Sequence, residues 1–308
     1  MGKLLIVGTV AFDAIETPFG QTDKILGGAA TFIGLAASQF GLDSAIVSVV
    51  GDDFPSEYLN LLKSRNIDIS GLKIVKGGKT FFWKGKYHND MNTRDTLATE
   101  LNVLADFDPI VPEDYKDAEV VMLGNLHPSI QLSVINQMKK RPKLIILDTM
   151  NFWMDNTLEE LTEVIQHIDV ITINDEEARQ LTGEYSLVKA AAEIQKMGPK
   201  YVVIKKGEHG ALLFHKDKVF FAPALPLEEV FDPTGAGDTF AGGFAGYLAA
   251  TDNISFNNLK NAVIHGSNLA SFCVERFGTE RMQDLDRKQI EKRLHQFKAL
   301  TQFDIELR

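Results

Sequence analysis

Asp232-Pro233-Thr234-Gly235-Ala236-Gly237-Asp238 stands directly before an apolar segment running from Thr239 toward Ala249, and its reading decides the fold. Three successive small residues at the start of a helix leave unpaired backbone N–H groups that can converge on an anion. A glycine-rich turn capped by Asp238 or Thr234 accounts for the same residues, so the surroundings matter. The apolar runs at 4–7, 45–50, 120–123, 144–147, 170–173 and 202–204 read as buried strands. Helical segments such as 29–40, 55–65, 156–166 and 184–197 separate them. This alternation predicts a parallel sheet covered on both faces, a three-layer α/β/α sandwich with ligands at the carboxyl ends of its strands.

One stretch breaks the rhythm. Residues 72–99 carry Thr80-Phe81-Phe82-Trp83 and Tyr87 among Gly77, Gly78 and Gly85, and read as short antiparallel strands. They predict a small β-sheet inserted as a lid into a single domain spanning 1–308, with further lid segments near 10–25. Its apolar faces need covering by substrate, by the main domain or by a second subunit, so a homodimer through the lid is one expectation.

The 308 residues carry 32 Lys and Arg against 42 Asp and Glu, a net charge of −10, which argues against nucleic-acid and anionic-membrane partners. A single cysteine, Cys273, excludes an intrachain disulfide and a four-cysteine zinc site, and its setting reads as a buried apolar filler. No signal peptide or membrane-length apolar run is present, which sets a cytoplasmic location as the default expectation. Neither a Gly-x-x-x-x-Gly-Lys-Ser/Thr loop nor a Gly-x-Gly-x-x-Gly after the first strand occurs, which disfavours P-loop NTPases and NAD enzymes.

The complete Asp232 to Thr239 segment resembles the ribokinase family, also called the phosphofructokinase B carbohydrate kinase family. Gly27-Gly28, Asn174-x-x-Glu177 and Lys206-Gly207-Glu208-His209-Gly210 match further family landmarks in family order. The resemblance implies a ribokinase-like fold and ATP-dependent phosphorylation of a hydroxyl on a small carbohydrate or sugar-like substrate, with ATP and Mg²⁺ as cofactors. It also allows K⁺ or another monovalent cation near Asp232 to Asp238. In the family the turn formed here by Gly235, Ala236 and Gly237 is an anion hole, and the aspartate corresponding to Asp238 is the base. That division of labour suits the chemistry, because an attacking alcohol must lose a proton while the transferred group needs electrostatic stabilisation.

The same resemblance implies substrate contacts from Asp13, Gly27 and Gly28, with Arg94 and Asn151 as further candidates. Asn174, Glu177, Thr234, Gly207, Gly210, Asn268 and Thr279 fall on the nucleotide side, with Glu177 and Asp232 at the metal positions and Glu177 acting mainly through metal-bound waters. Asn174 and Glu177 also form a capping-box pattern, which explains them without any ligand. Either Lys205 or Lys206 faces the nucleotide; alternation does not identify which, and Lys206 is the candidate. Ala11 and Phe32 replace asparagines usual in ribokinases proper. Phe32 could pack beneath a base or reshape the pocket, so a nucleoside kinase is the alternative. A catalytically weak metabolite-binding protein is a further one.

Overall fold

The computed structural model describes residues 2–302. β1 (Leu4–Val7) is fully buried, and the chain then leaves it for three strands of a second sheet: β2 (Ala11–Thr17), β3 (Gly20–Gln21) and β4 (Ile25–Gly27). α1 (Ala29–Ser38), β5 (Ser44–Gly51), α2 (Ser56–Ser64) and β6 (Ile67–Val75) return to the main sheet, before β7 (Phe82–Tyr87) and β8 (Arg94–Glu100) complete the small one. Strands and helices then alternate: β9 (Val120–Leu123), α3 (Pro128–Gln137), β10 (Leu144–Asp148), α4 (Asn151–Asn156), α5 (Leu158–His167) and β11 (Val170–Asn174). α6 (Asp175–Thr182), α7 (Leu187–Met197), β12 (Tyr201–Lys205), β13 (Ala211–His215) and β14 (Lys218–Ala222) follow. The chain closes with α8 (Ala236–Thr251), α9 (Phe256–Cys273), α10 (Glu280–Gln283) and α11 (Arg287–Thr301).

The main sheet runs β14-β13-β12-β11-β10-β9-β1-β5-β6. It is parallel from β12 to β6, and β13 and β14 extend it antiparallel. The central strands, such as β1 and β9, are apolar throughout because both faces are covered, whereas the edge strands β6 and β14 carry polar, exposed residues. Leu4 and Ile6 join a core with Ile33 of α1, Phe244 of α8 and Leu259 of α9. Leu5 and Val7 face the opposite way, into a core with Val134 of α3, Val164 of α5 and Ile194 of α7. This is the α/β/α sandwich that the alternation predicts.

The small sheet runs β3-β2-β7-β8, with β4 on β2. Residues 72–75, grouped with it on sequence, instead belong to β6 and pair in parallel with β5 from Leu72↔Ser48 to Val75↔Gly51. Alternating apolar residues describe an edge strand of either sheet equally well, so only the pairing partner separates them. In the small sheet Asp13 pairs with Trp83, Ile15 with Gly85, and Tyr87 with Arg94. Paired residues share a face, so Asp13, Trp83, Gly85, Tyr87 and Arg94 all stand on one side.

Candidate active site

α8 begins at Ala236, with Gly235 as its N-cap in the left-handed conformation at φ 74°. The Phe32 ring of α1 lies against Gly235, where a β-carbon would come within 2.5 Å of three ring carbons. Glycine is therefore required both for the backbone sign and for the space. Phe32 is buried in a cluster with Leu35, Leu269 and Phe272, so it supports the turn from below and lines no acceptor pocket. This corrects the expectation that its ring could lie beneath a base.

Asp232 is fully buried and clamps the turn. Its carboxylate accepts from the Thr234 N–H at 2.8 Å and from the Gly278 N–H at 2.7 Å. The Thr234 hydroxyl in turn donates to the Tyr87 hydroxyl at 3.3 Å, which ties the turn to the small sheet. The face of that sheet bearing Asp13, Trp83 and Arg94 is thus the one presented to the turn.

Asp238 sits in the first turn of α8, where the helix dipole favours negative charge. Burial outweighs that help and, with the Asp148 carboxylate, pushes its carboxyl up to about 7, while Lys205 and Arg94 oppose the rise. Asp13 reaches about 7 as well, chiefly through burial; a hydrogen bond from the Gly28 backbone pulls it down, and Asp232 and Asp238 push it up. Gly27 leaves the room that the Asp13 carboxylate occupies, since a β-carbon there would overlap Asp13 Oδ2. Asp13, buried on the small sheet, and Asp238, half-buried at the start of α8, are therefore two carboxylates near enough to act on one another.

Asn174 and Glu177 form the capping box in full. The Asn174 side chain accepts from the Glu177 N–H at 2.8 Å, and Glu177 Oε2 accepts from the Asn174 N–H at 2.8 Å. Burial pushes Glu177 up to about 7 against the pull of Lys205. Arg94 also lowers Glu177, so its guanidinium, carried by an exposed strand, acts on both Asp238 and Glu177.

Lys205, not Lys206, stands at the turn. Its Nζ contacts both Asp148 carboxylate oxygens at 3.0 and 2.9 Å, and a β-carbon on Gly237 would lie 3.2 Å from that nitrogen. Val203 and Ile146 face the core beneath α8, so Lys205 and Asp148, two residues further along their strands, point the same way. Lys206 lies just past the end of β12, at the N-cap position of a short helical turn, Gly207–His209, with no side-chain cap hydrogen bond. The deciding signal is which face of β12 lies under α8, and that is not legible from the strand alone.

Other candidates lie elsewhere. Asn151 is exposed and accepts from the neighbouring Phe152 N–H. Asn268 is fully buried; its amide nitrogen donates to the Ile290 carbonyl at 3.2 Å, which docks α11 on α9, and its side-chain oxygen has no partner among the described residues. Thr279 is buried, with its hydroxyl accepting from Gln283. Gly210 packs against the Ala222 carbonyl of β14. Gly207 meets Asn92 of the hairpin joining β7 to β8, whose side-chain oxygen would lie 3.2 Å from an added β-carbon. Tyr87 and Asn92 are neighbours of the site to which the motif reading gave no role, and Lys205 is the alternative it weighed against Lys206.

The donors suit a polyphosphate. Backbone N–H groups open α8, Lys205 borders them, and Arg94 enters from the small sheet. Among the described residues no group of three or more His, Cys, Asp or Glu gathers as a direct metal cage. Glu177, held by its cap, suits the outer contact that Mg²⁺ makes through retained waters. Among those residues, too, no helix is long and apolar enough to cross a membrane.

Known proteins share the family and the fold. The pfkB family carbohydrate kinase model matches residues 1–285. The chain is similar to a cytidine kinase of Thermococcus kodakarensis, 35% identical over 254 residues covering 80% of this chain and 89% of that one. It is 31% identical over 294 residues to a nucleoside kinase of Methanothermobacter thermautotrophicus, covering 90% and 91% of the two chains. The crystal structure of the Methanocaldococcus jannaschii nucleoside kinase, an archaeal member of the ribokinase family, superposes with a TM-score of 0.77 at 23% identity, covering 96% of this chain and 99% of that one. A motif at the start of α8, a sandwich of the same architecture and a family match over most of the sequence lead to one conclusion: the chain belongs to the pfkB family of carbohydrate kinases and is an ATP-dependent kinase acting on a hydroxyl of a small sugar or nucleoside.

Proposed function

We propose that the acceptor is a nucleoside, phosphorylated on its sugar. The observation that carries this reading is the pairing of Asp13 with Trp83 on the face of the small sheet turned to the catalytic turn. A carboxylate accepts two hydrogen bonds from a ribose diol, and an indole beside it offers a flat surface for a base. Trp83 is oriented for that work. Its ring lies over Gly85, where a β-carbon would overlap it, and its N–H donates to the Thr96 hydroxyl at 3.3 Å. The names of the relatives support the same reading.

In this scheme Asp13 orients the sugar and Asp238 takes the hydroxyl proton. The Gly235 to Gly237 amides and Arg94 stabilise the charge on the transferring group, and Glu177 orders Mg²⁺-bound water. The small sheet acts as a lid that excludes water from the reacting atoms. ATP supplies the phosphoryl group.

The test is a panel of cytidine, uridine, adenosine, inosine, ribose and fructose, with ATP and Mg²⁺ held constant. Nucleosides should lead in kcat/KM, and Trp83→Ala should raise their KM by about tenfold or more, the loss of one base stack, with the KM for ATP unmoved. A free sugar turned over better than every nucleoside would sink the proposal.

A further inference from the structure

Lys205 and Asp148 end two strands that flank β11, and their side chains meet behind the catalytic turn. The pair is closely enclosed, with side-chain exposures of 16% for Lys205 and 7% for Asp148. Enclosing two charges is costly, and apolar residues of similar volume commonly serve a core as well or better. Stability therefore gives no reason to keep this pair. Its position does. The ammonium borders Gly237, and the carboxylates acting on it are Asp148, Glu177 and Asp238, the last being the proposed base. Three carboxylates acting on the same place would repel a polyphosphate, and Lys205 is the cation that the main sheet sets near them.

We infer that Lys205 is a catalytic residue contacting the transferring phosphoryl oxygens, and that Asp148 is a positioning residue holding its ammonium at the turn before the nucleotide arrives. Burial alone would lower the lysine, but Asp148 and Glu177 outweigh it and keep the ammonium charged. During transfer the acceptor oxygen forms its bond to the γ-phosphorus while the bond to the bridging oxygen breaks. The electron pair leaves with ADP, and the acceptor proton passes to Asp238. Lys205 forms no covalent bond and loses no proton. It meets the charge on the equatorial oxygens from the sheet side, as Arg94 does from the lid side. The inference rests on the phosphoryl-transfer reading and not on the nucleoside, so it is tested with whichever acceptor the panel ranks first.

The experiment compares Lys205→Met, Asp148→Asn and the double variant with wild type. Lys205→Met should lower kcat by about 10²-fold or more, the loss expected for one preorganised donor, with the acceptor KM nearly unchanged. Asp148→Asn should lower kcat by about tenfold, a smaller loss because the ammonium stays but wanders. The double variant removes both buried charges, so it should melt close to wild type while kcat stays low. Recovery of kcat in the double variant to within about threefold of wild type would overturn the inference and leave the pair a packing element. Binding gives a second readout. A non-hydrolysable ATP analogue should raise the melting temperature of wild type more than ADP does, and that difference should vanish in Lys205→Met and in the double variant; a difference that persists in both would also overturn it.

Discussion

The ring of Phe32 lies directly against Gly235, so the first turn of the catalytic helix is seated on an aromatic side chain from α1. Gly235→Ala should cost both folding and turnover, because the residue has φ 74° and its β-carbon would meet the ring. A drop in kcat of about 10²-fold, as for a lost oxyanion donor, is expected even at temperatures where the variant is fully folded. Phe32→Ala should destabilise the protein by about 3–5 kcal/mol in urea titration and lower kcat with it. Wild-type turnover by folded Gly235→Ala would show that the turn does not depend on this seat.

Asp238→Asn removes the proposed base but keeps the shape. We expect kcat to fall by about 10²–10⁴-fold, with nucleotide affinity unchanged or improved, since a negative charge beside the phosphates is gone. Because burial holds Asp238 at about 7, its carboxyl is protonated and idle below that value. The kcat/KM profile of wild type should rise with pH and level off above about 7, and a flat profile from pH 5.5 to 8 would contradict the assignment.

Stability should run the opposite way. The carboxyls of Asp13 and Asp238 rise from 3.8 to about 7, and that of Glu177 from 4.5 to about 7, burial being the first cause in each. A group raised on folding binds more protons folded than unfolded between those limits, so its contribution is complete below the lower value and lost as pH climbs through the upper one. The ligand-free protein should therefore melt higher at pH 5 than at pH 8. Asp13→Asn should reduce that difference and raise the melting temperature at pH 8 by about 2–4 °C, the response to roughly 1 kcal/mol in a chain of this size. A higher melting temperature at pH 8 than at pH 5 in wild type would refute the argument.

The capping role of Glu177 and its proposed role toward Mg²⁺-bound water are separated by one substitution. Glutamine keeps the capping-box hydrogen bonds to Asn174 and loses the charge. Glu177→Gln should leave the melting temperature unchanged or higher at neutral pH, yet require several-fold more Mg²⁺ for half-maximal rate. Asn174→Ala should instead cost about 1 kcal/mol of stability by removing the cap. Equal Mg²⁺ requirements in Glu177→Gln and wild type would restrict Glu177 to the cap.

The parts of the fold legible in the sequence are those with local causes. All-apolar runs such as Leu4–Val7 and Val120–Leu123 read as buried strands, and the glycines announce the helix that follows them, although it begins at Ala236, three residues before the Thr239 expected. Features set by tertiary pairing were not legible. The edge strand β6 reads like the small sheet because its alternation suits either, and Lys205 is distinguished from Lys206 only by which face α8 covers. Asn268 carries a family landmark, yet nothing near it in sequence announces that Ile290 will return to accept its amide. Phe32 looks like a missing amide until Gly235 is seen resting on it.

The clamp on Asp232 reaches forward to Gly278, 46 residues later in the chain. A ribosome making this protein has therefore finished the catalytic turn long before the residue that secures it exists. Until then a buried-to-be carboxylate waits with half its partners, and a nascent chain halted between α8 and α10 would carry the complete motif without the means to hold it. Activity should arise only once the chain has grown past Gly278, and abruptly, when the second half of the clamp can form.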